Sequence, residues 1–266
     1  MNSAKEKGVR ELENFAIEII QGAGKEALAL YGKGATRMKF DEGLVTEAEL
    51  RLNDYFQNHI QAEFPEHRIF RNNQEHEGYS HEGKRYLWVY DPLDGVANFQ
   101  AGIPIWGLSL ALLENFWPIF GVFHMPVTGD LFHAQAGKKA FHAGEEIRVS
   151  LQEELDDESL LLIPSRFHHH FRSTFPGKMR VLGSNSAHLC YVAMGRAEAA
   201  VLSNESYQGL AAARVIVEAA GAKIYRLDGK EFFLNEYLNG ERITDHLVVS
   251  SPDAFPQVRE CLHRLS

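Results

Sequence analysis

Cysteine is nearly absent from this chain, which has only Cys190 and Cys261 in 266 residues. The two are far apart and in no metal-binding spacing, which excludes a disulfide framework and a cysteine-based zinc site. They read as reduced structural thiols of a cytoplasmic protein. Long apolar runs are also missing. The richest stretch, GLSLALLENFWPIFGVFHMP, is broken by Glu114, Asn115 and Pro118, short of the roughly eighteen residues a membrane span needs. Leu12, Phe15, Ala16, Ile19 and Ile20 recur at helical spacing among charges, which predicts an amphipathic helix rather than a signal-peptide core. An excess of positive charge is lacking too. The formal net charge is -9, and a nucleic-acid partner is excluded because phosphate-backbone binding draws on a basic surface. No internal repeat, low-complexity stretch or Pro/Ser linker is present.

What is there is an ordinary globular composition, 45% hydrophobic and 24% charged, long enough for one large domain or two intimate halves. Residues 9–31 and 46–63 carry helical periodicity, with Gly32, Gly34 and the KFDEGL stretch as a loop or hairpin between them. From Tyr86 the pattern changes to short apolar runs (YLWVYDP, WGLSLALLE, PIFGVFHMP, DLFHAQA and KKAFHAG) separated by turn signals at Asn115 and Thr128-Gly129-Asp130. This predicts a mainly antiparallel sheet. Beyond Ser150 strands and helices alternate through VLGS, AHLCYVAMG, AEAAVL, GLAAARVIVEAA and AKIYRL, an α/β pattern. The expected architecture is layered α/β, with an N-terminal half over 1–150 and a C-terminal half over 151–266 sharing a broad interface.

The chemistry concentrates in LWVYDPLDGVANF, residues 87–99. An apolar strand ends in Asp91, turns at Pro92, returns Asp94 and opens through Gly95 into a segment with exposed amides. Two carboxylates at i and i+3 across a tight turn can face one hard cation such as Mg²⁺, and amides after a glycine can hold a phosphate. The pentapeptide DPLDG by itself fits a capped Asp-Pro turn equally well.

The wider stretch resembles the inositol-monophosphatase family, whose signature W-x-x-D-P-[LI]-D-G-T-x-N-F is matched from Trp88 to Phe99 except at Val96. The resemblance extends through residues 102–144, GSNSAHLCYVAMGRAEAAV and GLAAARVIVEAAGAKI, with LVTEAE at 44–49 similar to the family's L-V-T-x-x-D. It implies the sugar-phosphatase fold, an αβαβα arrangement with a smaller C-terminal half. It also implies a homodimer, a phosphorylated small molecule as ligand and Mg²⁺ as cofactor, with metal ligands at Asp91, the Leu93 carbonyl and Asp94. The substrate would lie against Asp94, Gly95, Val96 and Ala97, and against Gly183-Ser184, which opens a helix.

The same resemblance exposes departures. The family's H-x-I-x-G-E-E aligns with HRIFRNN, which puts Asn72 and Asn73 where two glutamates belong. Val96 stands for the threonine that orients the attacking water, and Glu49 for its aspartate partner. Counting ten residues back from Glu218 puts Tyr207-Gln208 on the late W-D pair, so Gln208 replaces a metal ligand. Val201-Leu202 fill the region of the substrate-contacting acid. Loss of anionic ligands weakens Mg²⁺ binding, and each lost transition-state contact costs about 2–4 kcal/mol. The expectation is an impaired phosphatase that binds a phosphorylated small molecule or a partner, with an active Mg²⁺-dependent phosphomonoesterase as the alternative. Glu75, Glu77 and Glu205 are the carboxylates near enough in sequence to compensate, and their polar surroundings predict surface positions. His168, His169 and His170 read as a solvated loop, and Arg71 and Arg166 as exposed cations.

Overall fold

The computed structural model describes residues 2–33, 42–70, 85–152 and 154–265, leaving aside the side chains of 2–7 and 42–46. Two helices come first, α1 (Asn2–Leu28) and α2 (Glu42–Glu63), followed by strand β1 (Arg68–Ile69). Next are β2 (Tyr86–Asp94), the short helix α3 (Val96–Ala101), β3 (Gly107–Glu114), β4 (Trp117–Met125), β5 (Asp130–Gln135), β6 (Ala140–His142) and β7 (Glu145–Ile147). The remainder runs through β8 (Leu160–Leu162), β9 (Phe171–Ser173), β10 (Lys178–Arg180), α4 (Asn185–Ala193), β11 (Ala199–Leu202) and α5 (Tyr207–Ala219). It closes with β12 (Lys223–Arg226), β13 (Leu247–Ser250), α6 (Phe255–Glu260) and β14 (Leu262–Arg264).

Strands β1 to β7 form one sheet in sequence order, antiparallel except where β1 runs parallel to β2. The second sheet has the order β10-β8-β11-β13-β12, parallel across β10, β8 and β11 and antiparallel around β13. Side-chain alternation decides how these sheets stack, because successive residues of a strand face opposite ways. On β3, Leu108, Leu110 and Leu112 join the core under α1 and α2, while Ala111 and Leu113 join the core shared with α4 and α5. On β11, Ala200 and Leu202 face that shared core, and Ala199 and Val201 face Phe167, Phe171 and α6. Five layers result: α1 and α2, the seven-stranded sheet, α4 and α5, the five-stranded sheet, and α6. This is the α/β layering expected from the sequence.

Details differ locally. The stretch Glu42-Gly43-Leu44, read as loop, already belongs to α2, because the apolar spacing that carries Ala48, Leu52, Phe56 and Ile60 into the core propagates one turn upstream. The histidine run is a 3₁₀ turn over Phe167–His169, anchored by buried Phe167, with its histidines exposed. No helix among the described residues is long and apolar enough to cross a membrane.

Candidate active site

Strand β2 ends at the site through an irregularity. Its register against β3 shifts between Asp91 and Asp94, and the bulge turns both carboxylates toward one end of the sheet. The Leu93 amide donates to Asp91 Oδ1 at 3.2 Å and closes the turn. Gly95 then caps α3 with φ 87°, and a Cβ there would stand 3.0 Å from the Ile105 carbonyl, so only glycine suits this corner. Asn98, buried within α3, donates from Nδ2 to the carbonyls of Ile105 (2.6 Å) and Leu182 (2.7 Å), tying the corner to the second sheet's loops.

Asp94 faces the start of α4. Ser184 Oγ and the Ser186 amide donate to Asp94 Oδ2 at 2.8 and 2.6 Å, and the Asn185 amide donates to Oδ1 at 3.3 Å. A helix start offers free amides to an anion, and here the anion is a protein carboxylate. The expectation that Gly183-Ser184 opens a helix holds. The amides of the next two residues, Asn185 and Ser186, are the ones that hold Asp94.

Glu205 corrects the sequence reading more sharply. It was expected on the surface, yet it is 7% exposed. An isolated antiparallel bridge to Ile243 fixes its backbone, with both hydrogen bonds at 2.9 Å. Its Oε1 accepts from Asn185 Nδ2. The close approach of Gly209 makes room for it: a Cβ at 209 would lie 3.1 Å from Glu205 Oε2 and 3.6 Å from Asp91 Oδ2. Glu205 precedes Ser206, the N-cap of α5, whose Oγ accepts from the Gly209 amide at 3.0 Å. The polar stretch before an N-cap looked like an exposed loop; the crossing of the 238–246 segment over it, which buries Glu205, has no local sequence signal.

Together Asp91, Leu93, Asp94, Gly95, Val96, Asn185, Asn204, Glu205, Ser206, Gly209 and Arg242 line a cavity of about 200 Å³. Its electrostatics follow from burying like charges together. Burial, then the charges of Asp94 and Glu49, push the Asp91 carboxyl up to about 7. Burial, then Asp94 and Asp91, push Glu205 up to about 8. Glu49, half-buried on α2, is raised by burial.

Of the residues predicted from sequence, the fold brings Asp91, Leu93, Asp94, Gly95 and Val96 into this cavity. Gly183 lies beside a second, smaller cavity that shares Asp94 and Asn185, Ser184 is buried against Asp94, and Ala97 is exposed outside both. Gln208 sits half-buried on α5 outside the cavity lining. Asn72, with Asn73, Arg71, Glu75 and Glu77, lies outside the described residues. Arg166 is exposed, as expected.

A sequence profile of the inositol monophosphatase family matches residues 9–246. The chain belongs to the inositol monophosphatase family. A Thermotoga maritima protein described as fructose-1,6-bisphosphatase/inositol-1-monophosphatase is 29% identical over 225 residues, covering 82% of this chain and 86% of that one. The histidinol-phosphatase of Chlorobaculum parvum is 32% identical over 232 residues, covering 83% and 88%. Among solved structures, an IMPase of Thermotoga maritima superposes with a TM-score of 0.75 at 25% identity, covering 94% of this chain and 96% of that one. The described relatives are phosphatases, and the shared fold extends over nearly the whole chain.

The donor set can be tested against a divalent cation. Half-buried Asp91 and buried Glu205 are oxygen donors whose raised pKa values report carboxylates lacking a strong neutralising partner, and Leu93 lines the cavity beside them. Hard cations prefer such a set, so these residues fit one ion of the Mg²⁺ class. Among the described residues no three His, Cys, Asp or Glu side chains converge on a metal position, and both Asp94 oxygens accept hydrogen bonds from the start of α4.

Proposed function

We propose that this chain binds a phosphorylated small molecule together with one divalent cation in the Asp91–Glu205 cleft, and hydrolyses the ester poorly or not at all. The observation that carries this reading is Val96. It lines the cavity next to Asp94 and Gly95 and packs on the apolar core under α1 and α2, so a side chain without a hydroxyl stands where the family resemblance implies a threonine that aims the water. Asp91, Glu205 and the Leu93 carbonyl would hold the ion, which when bound supplies neutralising charge to the phosphate oxygens. The Val96 amide, at the first position of α3, has no acceptor within its own helix and would donate to the same ligand. Glu49, whose charge reaches Asp91, is the base in this reading, without a hydroxyl partner at 96 to orient water. Gln208 and Asn72 are degenerate ligand positions in this reading.

An active phosphomonoesterase is the second reading, and Glu205 favours it by restoring a buried carboxylate. Calorimetric titration with Mg²⁺ and Mn²⁺, run beside phosphate release from a panel of phosphomonoesters, separates the two. One bound ion and negligible release are expected, with Val96→Thr raising release by about tenfold or more. Robust release by the unaltered chain, abolished by Asp94→Asn, would establish the second reading. A homodimer and a cytoplasmic location belong to the same proposal; sedimentation velocity and the position of a tagged copy test them.

A further inference from the structure

Among the described residues the cavity has one cationic wall, and neither the signature nor the departures from it involve that residue. Arg242 is exposed at the mouth, on the segment that crosses over Glu205. Its Nε donates to Asn204 Oδ1 at 3.3 Å and its Nη2 to the Asn204 carbonyl. Asn204 adopts φ 56°, and the bridge between Glu205 and Ile243 locks the two segments together. One edge of the guanidinium is thus fastened to the rim, while Nη1 has no partner among the described residues.

Several other arginines are held by carboxylates. Arg148, Arg214 and Arg226 each pair with a carboxylate, whereas no Asp or Glu among the described residues lies within ion-pair distance of Arg242. Nor is it the counter-ion of the cavity floor, since its attraction is the weakest influence named on both Asp91 and Glu205. An anchored guanidinium with an unsatisfied edge suits a planar carboxylate or a phosphate. The dimensions point the same way. The cavity's 200 Å³ or so falls below the roughly 300–1,000 Å³ of ordinary small-molecule pockets, so all but the smallest phosphate esters extend to the mouth.

Resting on the reading of the cleft as a phosphate-ester site, we propose that Arg242 selects ligands carrying a second anionic group, a carboxylate or a further phosphate, beyond the phosphate held at the carboxylate floor. The test is calorimetric titration, at constant saturating Mg²⁺, of wild type, Arg242→Gln and Arg242→Lys with glycerol 1-phosphate, 3-phosphoglycerate and fructose 1,6-bisphosphate. In Arg242→Gln the affinity for at least one doubly anionic probe, taken relative to glycerol 1-phosphate, is expected to fall about five- to tenfold. Arg242→Lys is expected to recover part of that ratio. A fall for 3-phosphoglycerate alone identifies a carboxylate reader, and a fall for the bisphosphate alone a phosphate reader. Equal weakening of all three probes, or no change in the ratios, would overturn the inference while leaving the proposed function standing. Failure of wild type to bind any probe overturns both.

Discussion

At the scale of single residues, Glu205 carries an uncompensated cost in the cleft, and pH reveals it. Without metal, folded Glu205 keeps its proton to about pH 8, against an ordinary value of 4.5. Between those values the folded state binds more protons than the unfolded state, so this group's contribution makes stability fall as pH rises. Asp91 contributes in the same sense up to about pH 7. Replacing Glu205 by Gln removes its share of the slope. Thermal melts in EDTA should therefore show Glu205→Gln matching wild type near pH 4.5 and gaining on it progressively toward pH 8. Parallel curves across that window would refute a buried, unneutralised carboxylate. Asp91 and Asp94 were legible as a pair because both ends of a tight turn are specified locally. Glu205 was not, because burial of a loop carboxylate depends on which distant segment crosses it.

At the scale of elements, α5 positions the cleft through its first turn. Gly209 lies there because a methyl group would press on Glu205 Oε2 at 3.1 Å and Ser206 Oγ at 3.2 Å, both ends of side chains rather than backbone. Alanine is favoured over glycine in a helix by about 1 kcal/mol, and that gain offsets the crowding. Gly209→Ala is expected to hold stability within about 1 kcal/mol of wild type by urea denaturation while lowering Mg²⁺ affinity severalfold by calorimetry. A variant with intact metal affinity would show that Glu205 does not need this space. The helix was plain in GLAAARVIVEAA from its apolar period. That its start lies near Asp91 was legible only through the family resemblance, which puts Gln208 on a metal-ligand position; 116 residues (207 − 91) separate Tyr207 from Asp91, and the stacking of α5 on the seven-stranded sheet brings them together.

At the scale of the whole molecule, α4 and α5 lie between both sheets, and a single core contains Val89 and Leu113 of the first sheet with Ala200, Leu247 and Val249 of the second. The division into 1–150 and 151–266 proposed from sequence therefore carries a mechanical consequence. Neither half can bury its face of that core alone, so we expect one cooperative unfolding transition, coincident by far-UV circular dichroism and tryptophan fluorescence. All three tryptophans lie before residue 150, so a separately melting C-terminal half would appear as a second transition by circular dichroism alone.

The sequence by itself determined the family, the layered α/β class, the Asp91–Asp94 turn and the hydroxyl missing at Val96, because these reside in local periodicity, turn chemistry and residue identity. Tertiary structure alone decided that Asp94 is held by the start of α4, that Glu205 joins Asp91, and that Arg242 stands at the mouth. Each of these depends on loops meeting across the packed α4–α5 layer, and a contact between loops distant in sequence leaves no local pattern to read.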